Sequence, residues 1–323
     1  MWLPILAVII GLIVLTWSAD RFVVGASSLA RELGVSPLLI GLTIVALGTS
    51  APEIVVSILA VVQGNPGLAI GNVIGSNIAN IALVLGATAL IAPLIVNSKV
   101  IRREFPILLI ITTGIYLLIL DGWLGYRDGL LLIAALGGFM AWLLWQGLSG
   151  RVQPDELGIE MDEVLEQRMS LGKALFWLGL GLILLLGSSQ MLVWGAVVIA
   201  EALGVSDLVI GLTIIAIGTS LPELAASITA AWKGETALAI GNIIGSNLFN
   251  LLLVLPIPAL LAPGSLDTVV LIRDYPFMLL LTVLLFIFAF ARRGDGRVRR
   301  WQGGLFLALF AGYLLFLGLT LAG

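Results

Sequence analysis

The chain has 323 residues, of which 60% are hydrophobic and only 11% are charged, and its mean hydropathy is +1.16. These values exclude an ordinary soluble protein and indicate one that is embedded in lipid. The formal net charge is -3, and the basic residues lie in short connections, so no nucleic-acid interface is expected. Cysteine and histidine are both missing from the sequence, which excludes disulfides, thiolate or imidazole metal sites, and Ser-His or Cys-His nucleophiles.

Apolar runs, each near the roughly 20 residues that a transmembrane helix needs, predict ten membrane spans in chain order. The first run lacks a positive segment before it and is too long for a signal peptide, so it is interpreted as a retained helix. The predicted fold class is therefore all-α, a polytopic membrane protein. The spans are expected at residues 3–30, 37–62, 68–92, 105–120, 128–148, 173–199, 207–232, 238–262, 275–291 and 301–321.

A polar segment, residues 149–172, separates the first five predicted spans from the second five. It is expected to be a solvated linker between a first repeat, 1–148, and a second repeat, 173–323. A regulatory cation site is the alternative interpretation of its acidic residues, which are Asp155, Glu156, Glu160, Asp162, Glu163 and Glu166.

The connections between spans differ in charge on the two sides of the membrane. Those after odd-numbered spans carry thirteen Lys and Arg residues, whereas those after even-numbered spans carry two, Arg127 and Arg273. Because cytoplasmic loops collect basic residues, the acidic linker is predicted to be cytoplasmic. Both termini are then expected outside the cytoplasm, in the inner membrane of a prokaryotic cell.

Two segments of the first half recur in the second half at an offset of 170 residues. GLTIVALGTSAPEIVVSILA at Gly41 reappears as GLTIIAIGTSLPELAASITA at Gly211, and GNVIGSNIAN at Gly71 reappears as GNIIGSNLFN at Gly241. Over the 53 residues that begin at Gly41, 31 are identical in the two copies. Since each copy holds five spans, an odd number, the second must enter the membrane from the opposite face. Inverted repeats are typical of secondary transporters, which bind substrate near the midplane between the copies.

The second span of each copy carries Gly-Thr-Ser-x-Pro-Glu, with Glu53 and Glu223 deep in the membrane. Placing a charge at that depth costs free energy, so a residue of this kind is usually functional. Neither span contains a basic residue to pair with its glutamate. The proline lacks an N–H and clashes with the carbonyl four residues earlier, which frees backbone oxygens as ligands. Thr49 and Thr219 precede the glutamates by four residues, so hydroxyl and carboxylate share a helix face.

The third span of each copy carries a second set of oxygen ligands. Ser76 and Asn80 lie four residues apart, as do Ser246 and Asn250. Carboxylate, hydroxyl, amide and carbonyl oxygens suit Ca2+, which takes six to eight oxygen ligands in a flexible shell. The small residues of these spans are also consistent with close helix packing alone. This applies to Gly71, Gly75, Gly241 and Gly245, while Asn72, Asn77, Asn242 and Asn247 are equally suited to hydrogen bonding between helices.

Asp20 and Arg21 in the first span do not belong to the repeated pattern. Gln190 and Met191 occupy the matching positions of the second copy. A local structural or interfacial role is therefore expected for both charges.

With the motifs GTSAPE, GTSLPE, GNVIGSNIAN and GNIIGSNLFN, the chain resembles the calcium/cation antiporter superfamily, in particular its prokaryotic sodium/calcium exchanger branch. The resemblance implies a core of helices 2, 3, 7 and 8, across which helices 1 and 6 slide. It implies that Glu53 and Glu223 hold Ca2+ and share Na+, with backbone oxygens from Thr49 and Thr219. The remaining implied Na+ ligands are Ser50, Ser220, Ser76, Ser246, Ala46, Ala216, Asn80 and Asn250, the last standing where some archaeal members carry Asp.

The expected function is antiport of Ca2+ against Na+ by alternating access, because two deep carboxylates disfavour crossing the membrane without bound cations. A proton-coupled exchanger is the nearest alternative, since a desolvated carboxyl group is able to carry the proton itself. A channel or an intramembrane enzyme fits the inverted repeat and the residue inventory less well. Neither a cofactor nor an obligate protein partner is expected; the partners are Ca2+ and Na+ as substrates and the lipid bilayer.

Overall fold

The computed structural model describes residues 2–96, 103–148, 169–204, 216–290 and 296–322. Two predictions lie partly outside these described residues. They are the acidic linker, of which only residues 169–172 are described, and the start of the seventh predicted span, residues 207–215.

The described chain is mostly helical. Seven helices are long and apolar enough to cross a membrane, and a bent pair, α2 with α3, makes an eighth. The polytopic membrane fold is thus confirmed, whereas the count of ten spans stays a prediction, because α5 has only 15 residues and α8 begins beside an undescribed segment. The helices are α1 Trp2–Glu32, α2 Pro37–Thr49, α3 Ala51–Val62, α4 Pro66–Ile91, α5 Glu104–Leu118, α6 Tyr126–Leu148, α7 Leu171–Ala202, α8 Ala216–Thr219, α9 Leu221–Trp232, α10 Thr236–Leu261, α11 Val270–Ala289 and α12 Arg300–Ala322.

A break at the repeated motif divides the second span of each half. Helices α2 and α3 meet at Ser50 with a bend of 42°. Ser50 has φ -80° and ψ 7°, and Ser220, between α8 and α9, has φ -90° and ψ 5°. Pro52 and Pro222 follow in the first turn of the next helix, where a proline is tolerated but the i−4 hydrogen bond is lost. The helix is therefore interrupted at the matching position in both copies of the repeat.

Helices α4 and α10 each contain a wider π-helical turn, at Asn80–Leu85 and Asn250–Val254. Such turns are rare inside α-helices and occur frequently at functional sites. Both begin at the asparagine that the sequence singles out as a ligand. Each turn therefore alters the helix backbone directly beside a candidate ligand.

The two halves pack through closely approaching glycines. A Cβ on Gly41 would lie 2.6 Å from Leu238 O, and one on Gly241 would lie 2.5 Å from Leu38 O. A Cβ on Gly245 would likewise meet the Cβ of Ala46 at 2.6 Å. The packing role predicted for Gly241 and Gly245 is therefore confirmed, since only glycine leaves room for α10 to approach α2.

For Gly71 and Gly75 of α4, no described atom beyond the adjacent backbone of their own helix lies within 4 Å of a built Cβ. Close packing, one of the interpretations that the sequence allows for them, therefore stays a prediction. The matching contact in the second half would involve Gly211, which lies outside the described residues.

Four short strands among the described residues connect the halves, although the all-α prediction included none. β1 Leu94–Val96 pairs antiparallel with β4 Gly296–Val298, and β2 Trp123–Leu124 pairs antiparallel with β3 Gly264–Ser265. Strands of two or three residues are too short to show the alternating pattern by which strands are recognised. Each pair joins a connection of the first half to one of the second half.

Asp20 and Arg21 make local contacts on the surface of α1. The Asp20 carboxylate lies 2.6 Å from Lys233 Nζ, directly after α9, and the Arg21 guanidinium lies over the rings of Trp17 and Trp177 at 5.7 and 5.1 Å. These contacts agree with the local role expected from the sequence. Because the Asp20 and Lys233 side chains are over a third exposed, their pairing contributes only about 0–1 kcal/mol.

Candidate cation-binding site

Two buried glutamates form the centre of the site. Glu53 lies in the first turn of α3 and Glu223 in the first turn of α9, directly after the helix breaks, and each is 1% exposed. The N-terminus of a helix carries a partial positive charge, which favours an anionic side chain in the first turn. The breaks thus place two carboxylates in the protein interior at positions where backbone dipoles support negative charge.

The tertiary structure brings the two glutamates together across the interface between the halves. Ser50 Oγ donates to Glu223 Oε1 over 3.3 Å, and the two carboxylates are close enough to repel each other. On the other side, Ser76 Oγ of α4 lies 3.5 Å from Glu53 Oε1. One cluster therefore combines groups from both sequence copies.

The candidate ligands include an unusual number of buried oxygens without a hydrogen-bond partner. Buried polar atoms are nearly always hydrogen-bonded, so a group of unpartnered atoms needs an explanation. Six belong to predicted ligands, which is the lower limit of the six to eight oxygens that surround Ca2+. They are Glu53 Oε2, Glu223 Oε2, Asn80 Oδ1, Asn250 Oδ1, Ser220 Oγ and Ser246 Oγ.

The amide nitrogens of Asn80 and Asn250 also lack partners. Both side chains are therefore free to turn an oxygen toward a cation without breaking a hydrogen bond. The site residues are acidic or neutral, and none of the four ion pairs among the described residues involves Glu53 or Glu223. A cation is the species that this combination of charge and unpartnered oxygen accommodates.

The residues directly before the helix break are arranged differently in the two halves. Thr49 Oγ1 donates to Asn242 Oδ1 over 3.1 Å, and the carbonyl of Ala46 accepts the Ser50 N–H over 3.0 Å. The same carbonyl oxygen also lies 3.4 Å from Thr49 Oγ1, so both of its lone pairs have a neighbouring donor group. In the second half, Thr219 is half-buried at the end of α8, and Ala216 begins that helix.

The four further asparagines divide into two kinds. Asn72 and Asn242 bond to a neighbouring helix, which is the interhelical role that the sequence allowed for them. Within the part of the chain that the structure describes, Asn77 has no hydrogen-bond partner for either amide atom, and Asn247 donates only to Ile243 O of its own helix. The interhelical interpretation therefore holds for the first pair and not for the second.

Three hydroxyls near the site were not singled out from the sequence. Ser57 and Ser227 accept from Asn72 and Asn242, and Ser189 of α7 donates to Gly218 O over 3.0 Å. A signal for the first two was present, because Glu-x-x-x-Ser occurs at Glu53 and Glu223 in both copies. Ser189 has no such signal, since Ala19 stands at the matching position of the first copy.

Comparison with known proteins extends over nearly the whole chain. The family model described as sodium/calcium exchanger protein matches residues 3–145 and 173–319. The antiporter CaxA of Alkalimonas amylolytica is 50% identical over 308 residues, which are 95% of this chain and 96% of that protein. The sodium/calcium exchanger MaX1 of Methanosarcina acetivorans is 30% identical over 346 residues, with 97% of both proteins covered.

Solved structures of the sodium-calcium exchanger NCX_Mj have the same fold. The structure of that protein soaked with zero Na+ and Ca2+ matches with a TM-score of 0.82 at 35% sequence identity, and 98% of each chain is covered. A structure soaked with 10 mM Na+ and 10 mM Sr2+ matches with a TM-score of 0.81 at 34% identity, again over 98% of both chains.

Proposed function

The chain belongs to the sodium/calcium exchanger family of membrane antiporters, and we propose that it exchanges Ca2+ for Na+ by alternating access. The observation that carries this proposal is the buried pair Glu53 and Glu223, each with one unpartnered oxygen and each within hydrogen-bond distance of a serine hydroxyl. In this proposal the twelve residues predicted from the sequence form the ion sites. Glu53 and Glu223 serve Ca2+ and Na+ in turn, and the threonine, serine, alanine and asparagine oxygens complete the coordination.

The charge of the empty site explains why exchange rather than leakage is expected. Two carboxylates in the membrane interior carry two negative charges, and moving them through the barrier without cations is unfavourable. One Ca2+ or at least two Na+ neutralise them. The carrier therefore reorients readily only when it is loaded, which couples the movement of one ion to that of the other.

Alternating access is supported by how the first helices of the two halves pack. A Cβ on Gly25 of α1 would lie 2.5 Å from Leu178 N of α7, and one on Gly181 of α7 would lie 2.7 Å from Phe22 N of α1. Such close contact favours movement of α1 and α7 as one body. In the proposed mechanism this pair shifts across the helices that carry the ligands and opens the glutamates to one face at a time.

The contacts between connections support the proposed ten-span arrangement in two inverted repeats. The strand pair β1 and β4 joins the connections after spans 3 and 9, and β2 and β3 join those after spans 4 and 8. Arg31, at the end of span 1, is 2.9 Å from Glu235, which follows span 7. Odd-numbered connections thus contact odd-numbered ones, as expected if they share one face of the membrane.

Reporter fusions check the proposed topology in a prokaryotic inner membrane. Because basic residues concentrate in the odd-numbered connections, reporters fused after Gly150 and after Gly294 are expected to be cytoplasmic. A reporter fused to Gly323 is expected outside the cytoplasm. The measurement is the activity of paired reporters that function on only one side of the membrane. A cytoplasmic carboxyl terminus would contradict the even number of spans.

Transport by the purified protein in proteoliposomes tests the proposed coupling. We expect an imposed Na+ gradient to drive uptake of radiolabelled Ca2+, because the hydroxyl-rich GTSxPE motif supplies the neutral oxygens that Na+ requires. An H+ gradient of the same size, imposed without Na+, is expected to drive little uptake. The reverse result would reject Na+ coupling and establish the proton-coupled alternative.

A further inference from the structure

The backbone of each central glutamate is held by an asparagine from the following helix. Asn72 Nδ2 donates to Glu53 O over 3.2 Å and to Ser57 Oγ over 3.1 Å. The second half repeats the arrangement, with Asn242 Nδ2 donating to Glu223 O over 3.4 Å and to Ser227 Oγ over 2.9 Å. Both asparagines therefore bind the turn of helix from which a carboxylate projects.

Asn242 makes one further contact that links the two halves. Its Oδ1 accepts from Thr49 Oγ1 over 3.1 Å, and Thr49 precedes Ser50, which itself donates to Glu223. A single side chain that is 1% exposed thus joins the residue before the break in the first half to the helix carrying Glu223. Any rotation of that amide changes the positions of both.

The state of the amide atoms distinguishes Asn242 from the candidate ligands. Both of its polar atoms already have partners in the protein, whereas Asn80 and Asn250 have none for either atom. An amide in a low-dielectric interior keeps bonds of this kind firmly, because losing them leaves buried polar groups unpaired. Asn242 is therefore equipped to orient other groups and not to contact a cation.

We propose that Asn242, with Asn72 at the matching place, is a positioning residue that sets the Ca2+ affinity of the site by holding the glutamate backbone and the Thr49 hydroxyl. This inference rests on the proposed function, in that Glu53 and Glu223 are taken as Ca2+ ligands. A misplaced carboxylate weakens binding of the transported ion even when the fold is intact, because small displacements of a ligand matter in a coordination shell.

Replacing Asn242 by leucine, which has a similar shape and no polar atoms, tests the proposal. The Ca2+ dissociation constant of the purified protein is measured by calorimetry, and its thermal unfolding midpoint is measured beside it. We expect Asn242→Leu to raise the dissociation constant about tenfold, which corresponds to about 1.4 kcal/mol. Thr49→Val, which removes the hydroxyl that bonds to Asn242 Oδ1 and also lies 3.4 Å from Ala46 O, is expected to have a smaller effect in the same direction.

Tyr275→Phe is the matched control for the loss of a buried hydrogen bond. Tyr275 is fully buried, and its hydroxyl donates to Thr112 O of α5 over 2.9 Å, with no bond to a site residue. This variant is expected to lower the unfolding midpoint and to leave the Ca2+ dissociation constant unchanged. An Asn242→Leu protein that binds Ca2+ as tightly as Tyr275→Phe would overturn the proposal.

The test stays decisive in two further cases. If Asn242→Leu does not fold, Thr49→Val decides, and an unchanged dissociation constant in that variant would reject the positioning role. Binding is read without any Na+ gradient, so its result is separate from the transport assay. A wild-type protein that binds Ca2+ without Na+-driven transport would reject the proposed exchange while leaving the role of Asn242 supported or rejected by binding alone.

Discussion

Glu53→Gln and Glu223→Gln are each expected to abolish Na+-driven Ca2+ uptake, with rates at least about a hundredfold lower than those of the wild type. Each change removes one of the two charges that a Ca2+ ion would neutralise, and replaces a carboxylate oxygen with an amide nitrogen that repels cations. A loss of about 2.8 kcal/mol in cation binding is sufficient for a hundredfold effect. The measurement is the initial rate of radiolabelled Ca2+ uptake into proteoliposomes under an imposed Na+ gradient.

The glutamine variants are expected to fold, because each leaves the carboxylate cluster with less repulsion between its charges. Asp20→Asn is the matched control: it also removes one carboxylate from a predicted span, but one that pairs with Lys233 at a partly exposed site. It is expected to retain most of the transport rate. Near wild-type transport by both glutamine variants would show that the site has been assigned to the wrong residues.

Exchange is expected to be electrogenic. Glu53 and Glu223 contribute two negative charges, while Asn80 and Asn250 are buried with them and contribute none. Among the described residues, no cluster of three or more His, Cys, Asp and Glu side chains occurs that would add a further charge. One Ca2+ or two Na+ would therefore neutralise the site, and a third Na+, which the family resemblance suggests, would leave one net positive charge.

Moving that charge across the membrane is worth about 2.3 kcal/mol per 100 mV, enough to shift the exchange equilibrium more than tenfold. An inside-negative potential then favours Na+ entry and Ca2+ extrusion. The check is to clamp the liposome potential with K+ and valinomycin at fixed Na+ and Ca2+ gradients and to follow the reversal point of Ca2+ flux. A reversal point that does not move with voltage would establish electroneutral exchange and exclude a third Na+ from the exchange.

The four further asparagines cannot be told apart from the sequence alone. Asn72, Asn77, Asn242 and Asn247 all lie in the GNxxGSN segments of the third spans, and by residue type each is suited to hydrogen bonding between helices. Two of them bond to the adjacent helix and two do not, because the partner of an amide depends on which helix faces it.

The membrane class, the family and the position of the glutamates along the chain follow from the amino-acid pattern alone. Hydropathy is a sum over local residues, and a proline followed by a glutamate in an apolar span is visible without a fold, so these features need no long-range information. The breaks at Ser50 and Ser220 follow in the same way, since the missing proline N–H acts only on its own helix.

Which side chains contact each other depends on the three-dimensional packing of the helices. The contact of Ser50 with Glu223 and the bridge from Thr49 through Asn242 join residues more than 170 positions apart. The pairings of β1 with β4 and β2 with β3 are likewise set by which connections share a face of the membrane. Such contacts depend on how helices from the two halves cross, and that crossing is governed by close-packed surfaces that no local pattern encodes.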